Sequence, residues 1–176
     1  MIDDASDIAY RIESVTDARL TSVCEAVNRT FRNGGVILRC LRPTLATDPA
    51  FSESRDDCVR RFLSSPSVSR LIPELRPLSP LPDDLIVVPL GRYTLEGEIV
   101  QLLLADGMHA ESRVDHSAAR RLAREFVDAL LGNQGCSVHR VDGHWADWFD
   151  GIEWNRLTLV VYTDRRWWLL CAFDTD

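Results

Sequence analysis

The chain has 176 residues, of which 45% are hydrophobic and 27% charged, a balance typical of a globular protein with a proper core. Its formal net charge of −7 argues against a protein whose main task is to coat nucleic acid or an anionic membrane. No apolar run approaches the roughly 20 residues that span a bilayer, and the acidic start lacks the apolar core of a secretory signal. We therefore expect a single cytoplasmic domain over residues 1–176.

The five cysteines are odd in number and form no CxxC pair, which favours small buried hydrophobes in a reducing compartment over a disulfide framework or a metal site. All 20 basic residues are arginine. We infer no function from that bias.

The first elements follow from apolar spacing. Residues 8–14 predict a strand, and Thr16 is placed to cap a helix whose apolar side chains repeat at helical spacing. Gly34 and Gly35 are expected to end that helix. The apolar run 36–41 then predicts a buried strand.

A shorter helix is predicted after Ser54, its N-cap, with apolar residues on one face: Cys58, Val59, Phe62 and Leu63. The segment Pro66–Pro89 carries six prolines, a density that excludes a long regular element. We expect a long loop over about 66–84, wrapped over one domain rather than joining two, because residues 85–90 at once resume an apolar strand.

Residues 93–105 fit either a strand or a buried helix, and β-branched Thr94, Ile99 and Val100 favour a strand. The clearest helix follows, capped by Asp115 and ended by Gly132. Its apolar stripe comprises Ala119, Leu122, Ala123, Phe126, Val127 and Leu130. Its opposite side carries charges that we interpret as a solvated face: Arg120, Arg121, Arg124 and Asp128.

The C-terminal segment predicts a β-hairpin, with strands at 157–163 and 167–173 joined by a tight connection at 164–166. The second strand is apolar on both faces, which is typical of a central strand in a sheet covered on both sides. We predict an α+β fold whose central, mostly antiparallel sheet contains this hairpin. The helices at about 17–32 and 116–131 are expected to pack against it.

The most polar stretch runs from His139 to Glu153. Its acids and histidines allow a metal- or carboxylate-dependent hydrolase, because hard cations take several oxygen ligands and zinc accepts His with Asp. The spacing opposes this, since His139 and His144 are five residues apart and share neither a helix face nor a strand face. We favour aromatic side chains that anchor a turn while the acids face water. We predict no cofactor.

Asp174 and Asp176 point the same way on an extended strand. Three negative charges there, counting a chain-end carboxylate, allow a raised carboxyl pKa for acid catalysis, or binding of a cation or a basic side chain. We favour acids that are simply solvated at a strand end.

Protein recognition is the third interpretation. From Val141 onward the sequence contains seven acidic residues and three arginines, and all five tryptophans lie in this stretch. Aromatic anchors among acids suit docking against a basic surface, because charge steers the encounter and aromatic burial supplies affinity. The candidate partner-binding residues are Asp142, Asp147, Trp148, Asp150, Glu153, Asp174 and Asp176.

The stretch from Trp148 to Asp176 resembles the C-terminal part of small bacterial proteins encoded beside polymorphic or contact-delivered toxins. An aromatic–acid turn there leads to a Trp-containing strand and an aspartate-rich end. The resemblance rests on Trp148, Phe149, Trp154, Asp164, Trp168 and 174–176. Such proteins are similar in role to immunity proteins, which are cytoplasmic and acidic and neutralise one toxin by occluding its active surface.

We therefore expect a non-enzymatic binding protein of immunity or antitoxin type, with a basic toxin domain as partner. A hydrolase using the acids of 139–153 is the alternative. A structural module of a bacterial or phage assembly is the third.

Overall fold

The computed structural model describes residues 8–31, 34–44, 54–104, 114–132, 136–149 and 157–174. The strands are β1 (Tyr10–Glu13), β2 (Gly35–Pro43), β3 (Ile86–Pro89), β4 (Cys136–Asp142), β5 (Leu157–Thr163) and β6 (Arg166–Phe173). The helices are α1 (Ala18–Thr30), α2 (Arg55–Ser64), α3 (Pro66–Leu71), α4 (Arg92–Leu104) and α5 (His116–Leu131). A short 3₁₀ helix spans Asp147–Phe149.

The strands form one antiparallel sheet in the order β1-β2-β6-β5-β4-β3. The predicted hairpin is confirmed, because β5 and β6 pair directly. Asp164 and Arg165 connect them with φ of 49° and 57°, the two positive values that a two-residue hairpin turn of type I′ requires. β6 lies between β2 and β5, so its prediction as a central strand is also confirmed.

Alternation along the central strands produces two cores. On one face Leu159, Val161 and Leu170 pack under α1, α4 and α5. On the other, Val160 and Leu169 pack under α2, α3 and the segment that contains the 3₁₀ helix. Successive side chains of a strand point to opposite faces, so apolar character at every position requires helices on both sides. The α+β prediction is confirmed, and the helical cover is richer than the two main helices expected.

The prediction of a strand at 93–105 is wrong, because this segment forms α4. Its buried side chains are Leu95, Ile99, Leu102 and Leu103, at the i, i+4, i+7, i+8 spacing of one helix face. Packing of that face against α1 and α5 outweighs the weak β preference of Thr94 and Val100.

The first helix begins one residue later than predicted. Asp17, not Thr16, is its N-cap, since the Asp17 carboxylate accepts the backbone N–H of Arg19 at 2.9 Å. The helix ends at Thr30 with Phe31 as C-cap, so Gly34 and Gly35 do not end it. The caps predicted at Ser54, Asp115 and Gly132 are confirmed.

The proline-rich segment contains one short helix. Pro66 occupies the first turn of α3, where its missing N–H costs no hydrogen bond, and the helix ends at Leu71 after six residues. The strand predicted at 85–90 is present as β3.

Both edges of the sheet are protected. On β1 the backbone N–H of Tyr10 donates to Ser67 Oγ of α3 at 2.9 Å. On β3, Leu90 N–H donates to the Val138 carbonyl, and along an edge strand the backbone N–H groups alternately point toward the neighbouring strand and toward solvent. Pro89 therefore occupies a position whose N–H would point to solvent, and its missing N–H removes no hydrogen bond of the sheet. Within the described ranges, no helix combines the length and apolar character needed to cross a membrane.

Candidate functional site: the acidic end of the sheet

One end of the sheet gathers several exposed acids. β4 finishes there at Asp142, which pairs with Ile86 at the start of β3. Asp83 and Asp84 immediately precede β3 and are exposed. The 3₁₀ helix follows β4 and presents Asp147, also exposed. We call Asp83, Asp84, Asp142 and Asp147 the acidic end.

Backbone hydrogen bonds hold the 3₁₀ helix in place. The N–H groups of Asp147 and Trp148 donate to the carbonyls of Arg76 and Leu75, both at 3.1 Å. In return Leu78 N–H donates to the Trp145 carbonyl at 2.8 Å. The proline-rich segment therefore holds the 3₁₀ helix in place through backbone hydrogen bonds.

Trp145 anchors the same turn from beneath. Its side chain is fully buried, and its indole N–H donates to Thr158 Oγ1 on β5 at 3.1 Å. A buried Trp with a satisfied N–H contributes a large apolar area without an unpaired donor. The prediction that aromatic residues anchor the turn is confirmed for Trp145 and Phe149, both buried.

Trp148 is half-buried and rigidly held. Its ring meets Phe173 edge-on at 4.3 Å between centroids, and Phe149 at 5.2 Å in a similar geometry. These contacts fix an aromatic surface beside Asp147. A side chain ordered in advance loses little conformational entropy when it binds.

Close backbone packing explains a glycine at this end. A Cβ on Gly34 would lie 1.9 Å from the carbonyl oxygen of Phe173 and 2.7 Å from the Cα of Asp174. Gly34 thus allows the chain entering β2 to lie against the end of β6. Asp174 is buried, with 6% of its surface exposed, so the interpretation of this residue as a solvated strand-end acid is wrong.

Asp142 belongs to an ion network. The guanidinium of Arg140 binds Asp142 at 3.0 Å through Nε and Glu98 of α4 at 2.6 Å through Nη1. These hydrogen bonds, to Asp142 first and then Glu98, raise the pKa of Arg140. One arginine is shared by two carboxylates, so negative charge remains in excess.

The balance of charge at this end is negative. Besides the acidic end and buried Asp174, Glu98 also lies here, and among the described residues the guanidinium groups of Arg60 and Arg140 reach this end. Arg60 is turned inward, donating to the carbonyls of Pro82 and Leu85. An apolar side chain, Ile86, lies among these acids with 59% of its surface exposed.

His139 lies away from the acids. It is 1% exposed, and Asp142, three residues on, points to the opposite face of the sheet. Its Nε2 is 2.8 Å from Ser137 Oγ, and its Nδ1 is buried without a hydrogen-bond partner among the described residues. Burial lowers the pKa of His139, opposed by the charge of Asp56 and aided by that of Arg55, which favours a neutral imidazole.

The candidate hydrolase cluster of 139–153 is described only in part, because Asp150 and Glu153 lie outside the described residues. His139 and Asp142 are on opposite faces, and no group of three or more His, Cys, Asp or Glu side chains among the described residues is arranged to hold a metal ion. The Ser137–His139 hydrogen bond resembles a nucleophile–base pair, but none of the described residues supplies a carboxylate that would orient the imidazole through Nδ1.

The five cysteines are free thiols, and burial raises the pKa of some of them. Cys40, Cys58 and Cys171 are buried as predicted, whereas Cys136 is exposed. Burial raises the pKa of Cys24 and of Cys40 to about 11, which keeps both thiols protonated near neutral pH.

Of the predicted partner-binding residues, Asp142, Asp147, Trp148 and Asp174 lie at one end of the sheet, with Asp142 on the face covered by α4 and Trp148 on the face covered by α2 and α3. Asp150, Glu153 and Asp176 lie outside the described residues. Sequence reasoning missed Asp83, Asp84 and Ile86, because they are about 60 residues earlier in the chain and reach this end only through the pairing of β3 with β4. The exposed Asp-Asp pair directly before a strand was the available signal.

Compared with known proteins, the sequence matches no protein-family model and no curated protein.

Proposed function

We propose that the protein is a binding protein of immunity or antitoxin type, which neutralises a basic toxin domain by covering its active surface with the acidic end. One observation carries the proposal: the exposed carboxylates of the acidic end lie at the same end of the sheet as two apolar side chains that reach the surface, half-buried Trp148 on the 3₁₀ helix and exposed Ile86 on β3. Central apolar anchors with a charged rim are the usual composition of a high-affinity protein interface.

The charges suit fast capture of a cationic partner. Asp83, Asp84 and Asp147 are exposed, so their field extends into solvent and can steer the encounter. The partner surface that complements them presents Lys or Arg around an apolar pocket. Catalytic domains that bind nucleic acid carry such basic surfaces, because they must neutralise phosphates. Covering that surface would block the substrate directly.

The proposal is tested with the protein encoded next to this chain's gene, produced in a bacterial host with and without this chain. We expect the neighbour to stop growth and this chain to restore it. Asp147→Arg should weaken the rescue, because it places a positive charge opposite a basic surface.

Glu25→Arg is the matched control, because it makes the same charge reversal at an exposed position on α1 and should leave rescue intact. A neighbour without toxicity, or equal rescue by Asp147→Arg and the unchanged chain, would contradict the proposal.

A further inference from the structure

Three arginines form a row across neighbouring strands at the end of the sheet opposite the acidic end. Arg11 of β1 is the direct cross-strand partner of Arg42 of β2. The β2–β6 register, which pairs Leu41 with Trp167, brings Arg42 beside Arg166 one position further on. Neighbouring strands are about 4.8 Å apart, so the three guanidinium groups start from adjacent positions on one face. We call Arg11, Arg42 and Arg166 the arginine row.

The three guanidinium groups converge on one carboxylate. Glu13 lies 2.7 Å from Arg166, 3.3 Å from Arg42 and 3.5 Å from Arg11. The hydrogen bond from Arg166, with the charges of Arg42 and Arg11, holds the pKa of Glu13 below its ordinary range. Of these three arginines, Asp164 binds Arg166. Among the described residues, two carboxylates therefore face three guanidinium groups.

Like charges directly opposite each other destabilise an antiparallel pair. The chain as a whole has a net charge of −7, whereas the described residues of these three adjacent strands place more positive than negative charge at this point. Arg166 and Arg42 have about a third of each side chain exposed, 32% and 34%, and Arg11 has 62%. The guanidinium N–H groups that do not bind Glu13 or Asp164 are therefore held partly by packing and are accessible to solvent.

We propose that the arginine row binds a phosphate group, either as the free anion or as a phosphate monoester. Each guanidinium has five N–H donors, so the three arginines together present far more donors than the four carboxylate oxygens of Glu13 and Asp164 can accept. A tetrahedral phosphate presents three or more oxygens and can bridge adjacent guanidinium groups, whereas a carboxylate presents two in one plane. This site is separate from the acidic end, so the inference does not depend on the proposed function.

Isothermal titration calorimetry at constant ionic strength tests the site, with inorganic phosphate in one arm and phenyl phosphate in the other. We expect saturable binding of one phosphate group per chain in at least one arm, and the arms tell the free anion from the ester. Arg42→Gln should weaken it about tenfold or more by removing charge-assisted hydrogen bonds. Glu13→Gln should strengthen it about tenfold, because it removes a competing negative charge a few ångströms away.

Arg120→Gln, at an exposed position on α5, is the matched control and should bind as the unchanged chain does. If Arg42→Gln does not fold, Arg11→Gln replaces it, because that mostly exposed side chain contributes little to the core. Absence of saturable heat in both arms, or equal affinity in the row variant that folds and the unchanged chain, overturns the proposal.

Discussion

At the scale of single residues, the acidic end depends on a position that has no room for a side chain. Gly34 packs against the backbone of Phe173 and Asp174, where neither neighbour can move without breaking the end of β6. Gly35, next to it, meets only Trp148 Cζ2 at 4.0 Å, an ordinary van der Waals contact.

We predict that Gly34→Ala lowers the free energy of unfolding by about 2 kcal/mol or more, because the added Cβ overlaps a backbone carbonyl. Gly35→Ala is the control and should change it by less than about 1 kcal/mol. Urea unfolding followed by tryptophan fluorescence measures both. Equal effects would contradict this account of the close approach.

His139 gives the protein a pH-dependent stability. Burial lowers the pKa of His139, so at a pH between the native and unfolded pKa values this side chain is protonated in the unfolded chain and neutral in the native chain. Stability is therefore fully present above the ordinary histidine pKa of about 6.5 and falls as the pH decreases toward the lower native value.

His139→Gln should flatten that fall, because it removes the titrating group and keeps a polar partner for Ser137. Unfolding free energies measured between pH 7.5 and pH 5 in both proteins test this. Every other titrating side chain is common to both, so an identical slope in the two would show that His139 does not titrate as described.

At the scale of elements, capped helices and the hairpin could be predicted from the sequence because their signals are local. Ser54 and Asp115 precede apolar helical stripes, and β5 and β6 are separated by a two-residue turn. α4 could not be separated from a strand, because its helical face becomes distinctive only when α1 and α5 cover it. Tertiary packing decided what local propensity left open.

Two glycines test the assignment of α4 and the end of α5. Gly97 is exposed inside α4 with open space around its Cβ position, so Gly97→Ala should raise the free energy of unfolding by about 0.5–1 kcal/mol. Gly132 has φ 55° and ψ −144°, a conformation almost restricted to glycine, so Gly132→Ala should lower it by about 1–3 kcal/mol.

Thermal and urea unfolding measure both changes. A loss of stability in Gly97→Ala would mean that residues 92–104 are not helical in solution.

At the scale of the whole molecule, the sheet has an acidic end and an arginine row at its opposite end. The charge excess after Val141 could be predicted from the sequence, and Asp142, Asp147 and Trp148 lie at the same end of the sheet, but Asp142 is on the face covered by α4 and Trp148 on the face covered by α2 and α3. The contribution of Asp83, Asp84 and Ile86 to the acidic end could not be predicted, because it depends on the pairing of β3 with β4. The arginine row could not be predicted from the sequence either, because its three arginines come from β1, β2 and β6.

The most direct test of the central claim is the association rate constant with the neighbouring gene's protein, measured by stopped flow at low and high salt. We predict that replacing Asp83, Asp84 and Asp147 with Ser slows association about tenfold or more at low salt and little at high salt, because exposed charges mainly steer the encounter. Glu25→Ser should match the unchanged chain. An association rate that is the same in all three proteins at low salt would contradict binding through the acidic end.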